Sequence, residues 1–171
     1  TPRVGVHRYT FPANVAPHLR IDLTSTIANK RSENGSAKIL PETRQVEGSV
    51  RIFGSFSGRY DGLDVYFVAQ FSQPFESHDE WEQIKADGAT DQSNGKGVDI
   101  GFAPQSQNQS VEVRLALSYV SCANARQNLE AEALNKPFEE VCAAARDAWE
   151  KRLALVQVEA GNERQRRIFY T

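Results

Sequence analysis

The sequence predicts a mainly β chain, an antiparallel β-sandwich followed by a C-terminal α-helical linker. Three observations carry that expectation. From Val4 to about Val120 apolar and polar residues alternate, the period-two pattern of strands with one face in a core. Segments rich in Gly, Asn, Ser and Asp separate these runs with no long helical pattern between them, which favours hairpins over parallel crossovers. After Val120 the apolar spacing changes to steps of three and four, and strong helix formers take over.

Strands are expected at Val4 to Phe11, Leu19 to Leu23, Ala37 to Leu40, Gly48 to Phe53, Leu63 to Phe71, Val98 to Phe102 and Val111 to Val120. The clearest places Val111, Val113, Leu115, Leu117 and Tyr119 on one face, with Glu112, Arg114 and Ser118 on the other. Leu63, Val65, Phe67, Ala69 and Phe71 repeat this against Asp64, Tyr66 and Gln70, although Val68 shows that the second face is not wholly wet. The segments "KRSENGS", "GSFSGRYDG", "ADGATDQSNGKG" and "APQSQNQS" are expected loops, because Gly and Asn tolerate positive φ and Ser and Asp bond to nearby backbone. A short helix around Glu80 to Lys85 is expected to interrupt the strands. Ser121 is a natural cap for a helix over "SCANARQNLEAEAL". A fuller amphipathic helix follows, with Phe138, Val141, Cys142, Ala145, Trp149, Leu153 and Val156 tracing one face. Pro137 suits its first turn, Glu139 and Glu140 its positive end, and Lys151 and Arg152 its negative end. After Gly161, Asn162 opens a third helix in which Ile168, Phe169 and Tyr170 arrive last.

At 171 residues the chain has room for one domain with a real core, or a core plus an appendage. With 40% hydrophobic and 25% charged residues the composition is that of an ordinary globular protein, and no run approaches the roughly 20 apolar residues that a membrane-spanning helix needs. A formal net charge of −2 supplies no positive field for phosphate backbones, which disfavours nucleic acid as a partner. Cys122, Cys142 and the scattered His7, His18 and His78 fit no metal-ligand spacing; the cysteines suit either buried thiols or, in a secreted protein, a disulfide. Asn34-Gly35-Ser36 and Asn108-Gln109-Ser110 have the form of glycosylation acceptors and lean weakly towards a secretory route. Nothing near Thr1 resembles a targeting signal, and no methionine is present, so a piece of a larger protein is expected.

Several catalytic patterns are tested and fail. "GSFSG" has Phe56 where a nucleophile elbow needs serine. "GKGVDIG" leads into a strand, whereas a dinucleotide fingerprint opens a helix. Asp87, Asp91, Asn94 and Asp99 miss the register of a calcium loop. Asp22, Asp64 and Glu112 lie on polar strand faces, and no pair of carboxylates stands out as a glycosidase couple. His7 alternates with Val4 and Val6 and suits either a sheet face or water. Phe53, Phe56 and Tyr60 bracket one Gly/Ser loop: such rings suit the apolar face of a sugar, and equally a hydrophobic plug at a strand end.

Five stretches, in order, resemble the N-terminal part of glycoside hydrolase family 92: "RVGVHRYTFP" (Arg3 to Pro12), "IDLTS" (Ile21 to Ser25), "DVYFVAQFSQPF" (Asp64 to Phe75), "LALSYVSCANARQNLEAE" (Leu115 to Glu132) and "ARDAWEKRLALVQVEAGNERQRRIFYT" (Ala144 to Thr171). The resemblance implies a parent that is an exo-acting, calcium-dependent, inverting α-mannosidase acting on mannose-containing glycans. It implies a supersandwich-like β-sandwich over residues 1–120, incomplete on its N-terminal side. Linker helices over 121–171 would lead to a helical toroid domain, which carries the general acid, the general base and the calcium ligands outside these residues. It also implies a secreted or extracellular protein, periplasmic in a bacterium. By the same resemblance Phe56, Ser57 and Gly58 are the candidates for touching sugar, and no catalytic or metal residue is assigned here. A free-standing carbohydrate-binding sandwich is the alternative, and a purely structural interaction domain a third. A linker meant for a partner should leave Trp149, Leu153 and Phe169 exposed.

Overall fold

The structure is a computed structural model, and it describes residues 1–25, 31–83, 95–158 and 161–170. Eight strands run through the described residues: β1 (Val4–Phe11), β2 (His18–Asp22), β3 (Arg31–Leu40), β4 (Gln45–Phe53), β5 (Leu63–Phe71), β6 (Ser77–Gln83), β7 (Gly95–Gly101) and β8 (Gln109–Ser118). Three helices follow, α1 (Cys122–Glu132), α2 (Phe138–Leu153) and α3 (Glu163–Phe169). All strand pairs are antiparallel, in a five-stranded sheet of order β1-β8-β5-β4-β3 and a three-stranded sheet of order β2-β7-β6. Residues Thr1–Asn135 form one compact unit and Lys136–Thr171 another.

Alternation along β5 and β8 organises the first unit. Phe67, Ala69 and Phe71 of β5 and Val111 and Val113 of β8 face the three-stranded sheet, where they pack with Val98 and Ile100 of β7 and with Phe102. On the opposite face Val68 and Ala116 meet Ala125, Leu129 and Ala133 of the α1 segment, together with Val4 of β1. This explains Val68: its strand is buried on both sides, by a sheet on one and a helix on the other. Helix α1 starts where expected, with the Ser121 side chain accepting the Asn124 N–H at 3.1 Å. Arg126 then reaches the sheet, donating to Gln45 and, at 2.6 Å, to Glu47. Gln45 is 8% exposed, and its amide nitrogen donates to Gln70 Oε1 at 2.6 Å, so this buried polar group is satisfied at both ends.

The expected helix around Glu80 to Lys85 is not formed: Glu80, Trp81, Glu82 and Gln83 belong to β6, and residues 84 and 85 lie outside those described. Pairing with β7 outweighs the helix preference of the glutamates, since Trp81 gains cover over Gly97 and the acids face water at an edge. "KRSENGS" is likewise no loop from Arg31 onwards: β3 runs through it, with a bulge between Glu33 and Ser36 where Asn34 takes φ of 53°. Of "ADGATDQSNGKG", residues 86–94 are outside the described set and Gly95 to Gly97 lie in β7. Pro137 caps α2 from the N-cap position, one residue before the first turn. The charged ends of α2 are as expected, and Asn162 and Gln165 close α3 with a reciprocal capping box.

Within the second unit, Tyr170 Oη donates to Val156 O at 2.9 Å and accepts the Val158 N–H at 3.1 Å, so the end of α3 is tied to the segment after α2. Trp149, Leu153 and Phe169 are 69%, 37% and 55% exposed, as expected.

A side chain at Gly97 has nowhere to go: its Cβ would overlap the Ile21 carbonyl oxygen and lie 2.8 Å from the Trp81 ring. Gly97→Ala should therefore force β2, β6 and β7 apart and cost about 2 kcal/mol or more, measured by urea denaturation.

Candidate functional site

The loop between β4 and β5 holds the three residues singled out from the sequence, and its shape follows from the strands that feed it. Ile52 pairs with Leu63 and Arg51 with Asp64 at the last rungs of the ladder. Arg51 fastens the turn to that end. Its Nη1 donates to both Asp64 carboxylate oxygens, at 3.0 and 2.9 Å, and its Nε donates to the Asp61 carbonyl at 2.8 Å. Between these anchors Ser57–Tyr60 forms a single 3-10 turn, in which Gly58 N–H donates to Gly54 O at 3.0 Å and Arg59 N–H to Phe56 O at 3.0 Å. Asp61 then takes left-handed geometry and Gly62 follows at φ of 86°, where a Cβ would press to 2.9 Å from the Phe53 ring.

The three candidates have different roles in this turn. Ser57 Oγ accepts the Gly54 N–H at 2.7 Å and so holds the loop's own backbone. Gly58 is part of the 3-10 backbone. Only Phe56 offers a large apolar face to water, at 77% exposure. Tyr60, which the sequence grouped with Phe56 without assigning it a contact, is 80% exposed, and the Arg59 guanidinium lies 5.9 Å from the Phe56 ring centroid. Phe53 takes the plug role instead: it is half-buried, with Arg31 stacked 4.0 Å above its ring. The turn is thus convex and self-supporting, with two rings and a guanidinium outward, suited to stacking and not to enclosing a ligand.

A second feature lies between the sheets. A cleft of about 200 Å³ opens beside β2, lined by His7, Tyr9, Arg20, Phe71 and Leu115 among others. The His7 and Tyr9 rings lie nearly parallel, 6.1 Å apart, on the face of β1 that looks towards β2. Arg20 is fixed at the rim by two bonds of 2.7 Å to Asp99, with its guanidinium 4.7 Å over Trp81. Those bonds from Arg20 hold the Asp99 carboxyl below the usual carboxylate range, against the opposing effect of partial burial.

Asn34 sits exposed on the β3 bulge, and Asn108 uses its Oδ1 to accept the Ala13 N–H at 3.0 Å. Cys122 and Cys142 are free thiols; Cys122 donates to Gly48 O at 3.3 Å, and burial pushes its pKa up. Asp22 caps its own turn, Asp64 pairs with Arg51, and Glu112 pairs with Arg8 and Arg114. Among the described residues, no group of three or more His, Cys, Asp and Glu side chains is placed to hold a metal. No described helix is long and apolar enough to cross a membrane.

The order of the elements, sheets first and helices last, is mirrored in comparisons with known families. The glycosyl hydrolase family 92 N-terminal domain matches residues 1–118, and the family 92 catalytic domain matches 124–171. The chain belongs to glycosyl hydrolase family 92. Among solved structures, the family 92 glycosyl hydrolase ccman5 is similar at 27% identity and TM-score 0.74, over 100% of this chain and 23% of that one. The family 92 inverting mannosidase BT2199 from Bacteroides thetaiotaomicron shares the fold at 23% identity and TM-score 0.74, over 98% of this chain and 22% of its own. The α-mannosidase BT3965 of the same organism does so at 22% identity and TM-score 0.71, over 93% of this chain and 22% of its own. This family 92 chain therefore spans less than a quarter of the length of these solved relatives. No curated protein matches it.

Two outcomes follow from the geometry. Ser57→Ala should cost about 1 kcal/mol through the lost bond to Gly54, whereas Phe56→Ala should leave the urea midpoint almost unchanged. Because the folded Asp99 binds its proton less readily than the unfolded chain does, its ion pair stabilises the fold above about pH 4 and is lost as pH falls through the lowered folded value. Asp99→Asn should flatten that acid limb in a pH series of urea unfolding curves.

Proposed function

We propose that this chain is the sandwich and linker region of an exo-acting, inverting α-mannosidase that removes terminal mannose from glycans. The observation that carries the reading is the succession of an N-terminal-domain match and the opening of a catalytic-domain match along one chain, which covers only 22 to 23% of the solved mannosidase and glycosyl hydrolase chains it resembles. The solvent-facing Trp149, Leu153 and Phe169 support it, since a helical segment that docks on further protein needs such a face.

In an inverting glycosidase one carboxylic acid protonates the leaving oxygen while a second carboxylate activates water on the opposite face, about 6.5 to 9.5 Å away. We place both in the helical remainder of the protein, the partner of this region. We place the calcium site of the parent enzyme there too. The contribution of residues 1–171 is scaffolding, with Phe56 offering a stacking face to sugar from a turn braced by Ser57 and Gly58. Secretion, or export to the periplasm of a bacterium, fits a glycan-degrading enzyme, and the exposed Asn34 is the better placed of the two glycosylation candidates.

The test is an assay of the 171-residue chain beside the longer protein. The chain alone should give no turnover of an α-mannoside. The longer protein should release mannose first as the β-anomer, seen by proton NMR, and lose activity in EDTA. Turnover by the 171 residues, or an α-anomer as first product, would overturn the reading. Phe56→Ala in the longer protein should raise KM several-fold with little change in kcat.

A further inference from the structure

The bulge in β3 sets one asparagine apart from the others. Glu33 pairs with Arg51 and Ser36 with Ser49, so Asn34 and Gly35 share the space opposite Val50 and neither has a partner residue on β4. β3 is the last strand of the five-stranded sheet, and no described strand covers its outer side. Asn34 is exposed, takes left-handed φ of 53°, and its carboxamide makes no hydrogen bond among the described residues. The residue after it is Gly35, which has no side chain to shield its backbone nitrogen. Among the described asparagines only Asn34 precedes a glycine. Asn14 is also left-handed, at φ of 59°, but the β-branched Val15 follows it. Asn108 and Asn162 have their Oδ1 atoms engaged by the backbone N–H groups of Ala13 and Gln165, and Asn128 is buried and donates to Leu117 O at 2.9 Å.

We infer that Asn34-Gly35 is a site of spontaneous deamidation, with the chain's own backbone as nucleophile and water as co-reactant. Asparagine is among the thermolabile residues, and the chemistry here is intramolecular. The Gly35 nitrogen gives its proton to base and bonds to the side-chain carbonyl carbon of Asn34. The carboxamide nitrogen takes up a proton and leaves as ammonia, which closes a cyclic imide. Water then adds to one of the two imide carbonyls. Breaking the new bond leaves aspartate in an unaltered main chain; breaking the original Asn34–Gly35 peptide bond leaves isoaspartate, with the main chain running through the side chain. Ring closure has to turn the Asn34 backbone, and a residue in the middle of a sheet resists that because strands hold it on both sides. Here one side is open and the register already breaks. Either product places a new carboxylate next to Glu33, which pairs with Arg31 at 3.0 Å. Isoaspartate also adds a carbon to the main chain where Gly35 fits closely, its Cβ position lying 3.2 Å from Leu23. The inference stands apart from the proposed function, except that a glycan on Asn34 would occupy the same nitrogen and block the reaction.

The test uses the intact protein, made in a host that adds no glycan and aged at mildly alkaline pH beside the free peptide SENGSA, the sequence of residues 32–37. Both are followed by mass spectrometry, the protein after digestion. The fragment that holds Asn34 should pass through a species lighter by one ammonia and end as two products of equal mass, aspartate and isoaspartate, separable by chromatography. Its rate should rise with pH and lie within about tenfold of the free peptide's, a small difference in barrier. Asn34→Gln should abolish conversion at this position, because the longer side chain closes its ring less readily. The fragment with Asn94-Gly95 is scored separately, since it has the same dipeptide and Asn94 lies outside the described residues. Conversion at Asn34 slower than the free peptide's by more than about tenfold overturns the inference, because the fold then protects the site. So does aspartate as sole product, which would mean direct hydrolysis of the side chain without the imide.

Discussion

The two-sided burial of β5 and β8 is the constraint on which this fold depends. A strand with apolar residues on one face needs one cover; Val68 and Ala116, set among Phe67, Ala69 and Phe71, demand two. The three-stranded sheet supplies one cover and α1 the other, which makes the helix a structural layer of the sandwich unit. Taking α1 away would uncover Val4, Val68 and Ala116 and leave Gln45 and Glu47 without the Arg126 guanidinium. The loop that carries Phe56 joins β4 to the central β5, so its position follows from that ladder and it keeps its shape through local bonds.

Much of this was legible in the residues. The alternation from Leu63 to Phe71 and from Val111 to Ser118 could have only one strand register, and Val68 already hinted at a second buried face. Ser121 and Asn162 marked helix starts because a side-chain oxygen ahead of a run of free N–H groups has a definite task. What could not be seen was whatever depends on distant pairing. "HDEWEQ" has helix formers and no alternation that a reader would trust, yet β7 recruits it as an edge strand. "RSENGS" has the composition of a turn, and a bulge at Asn34 lets a strand pass through it.

The candidate site was legible to a similar depth. Aromatic residues around Gly and Ser drew attention to this loop, and composition alone could not divide the labour within it. Only coordinates distinguish Phe53, turned into the sheet end beneath Arg31, from Phe56 and Tyr60, turned out. Arg51 was invisible as a brace because its two partners, Asp61 and Asp64, are ten and thirteen residues away and come within reach only when the hairpin closes. The edge position of β2 left no sequence signal at all: "HLRID" has the same alternation whether one neighbour or two lie beside it.

Helix α1 has one further consequence. The two family matches meet between residues 118 and 124, at the first turn of this helix, while the compact unit runs on to Asn135. Inheritance and mechanics thus draw their borders a helix apart: the segment that descends with the catalytic half serves as the lid of the half before it. Anyone cloning the sandwich to the edge of its family match would strip off that lid and present Val4, Val68 and Ala116 to water as a sticky stripe, so a soluble preparation has to carry the first stretch of its neighbour with it.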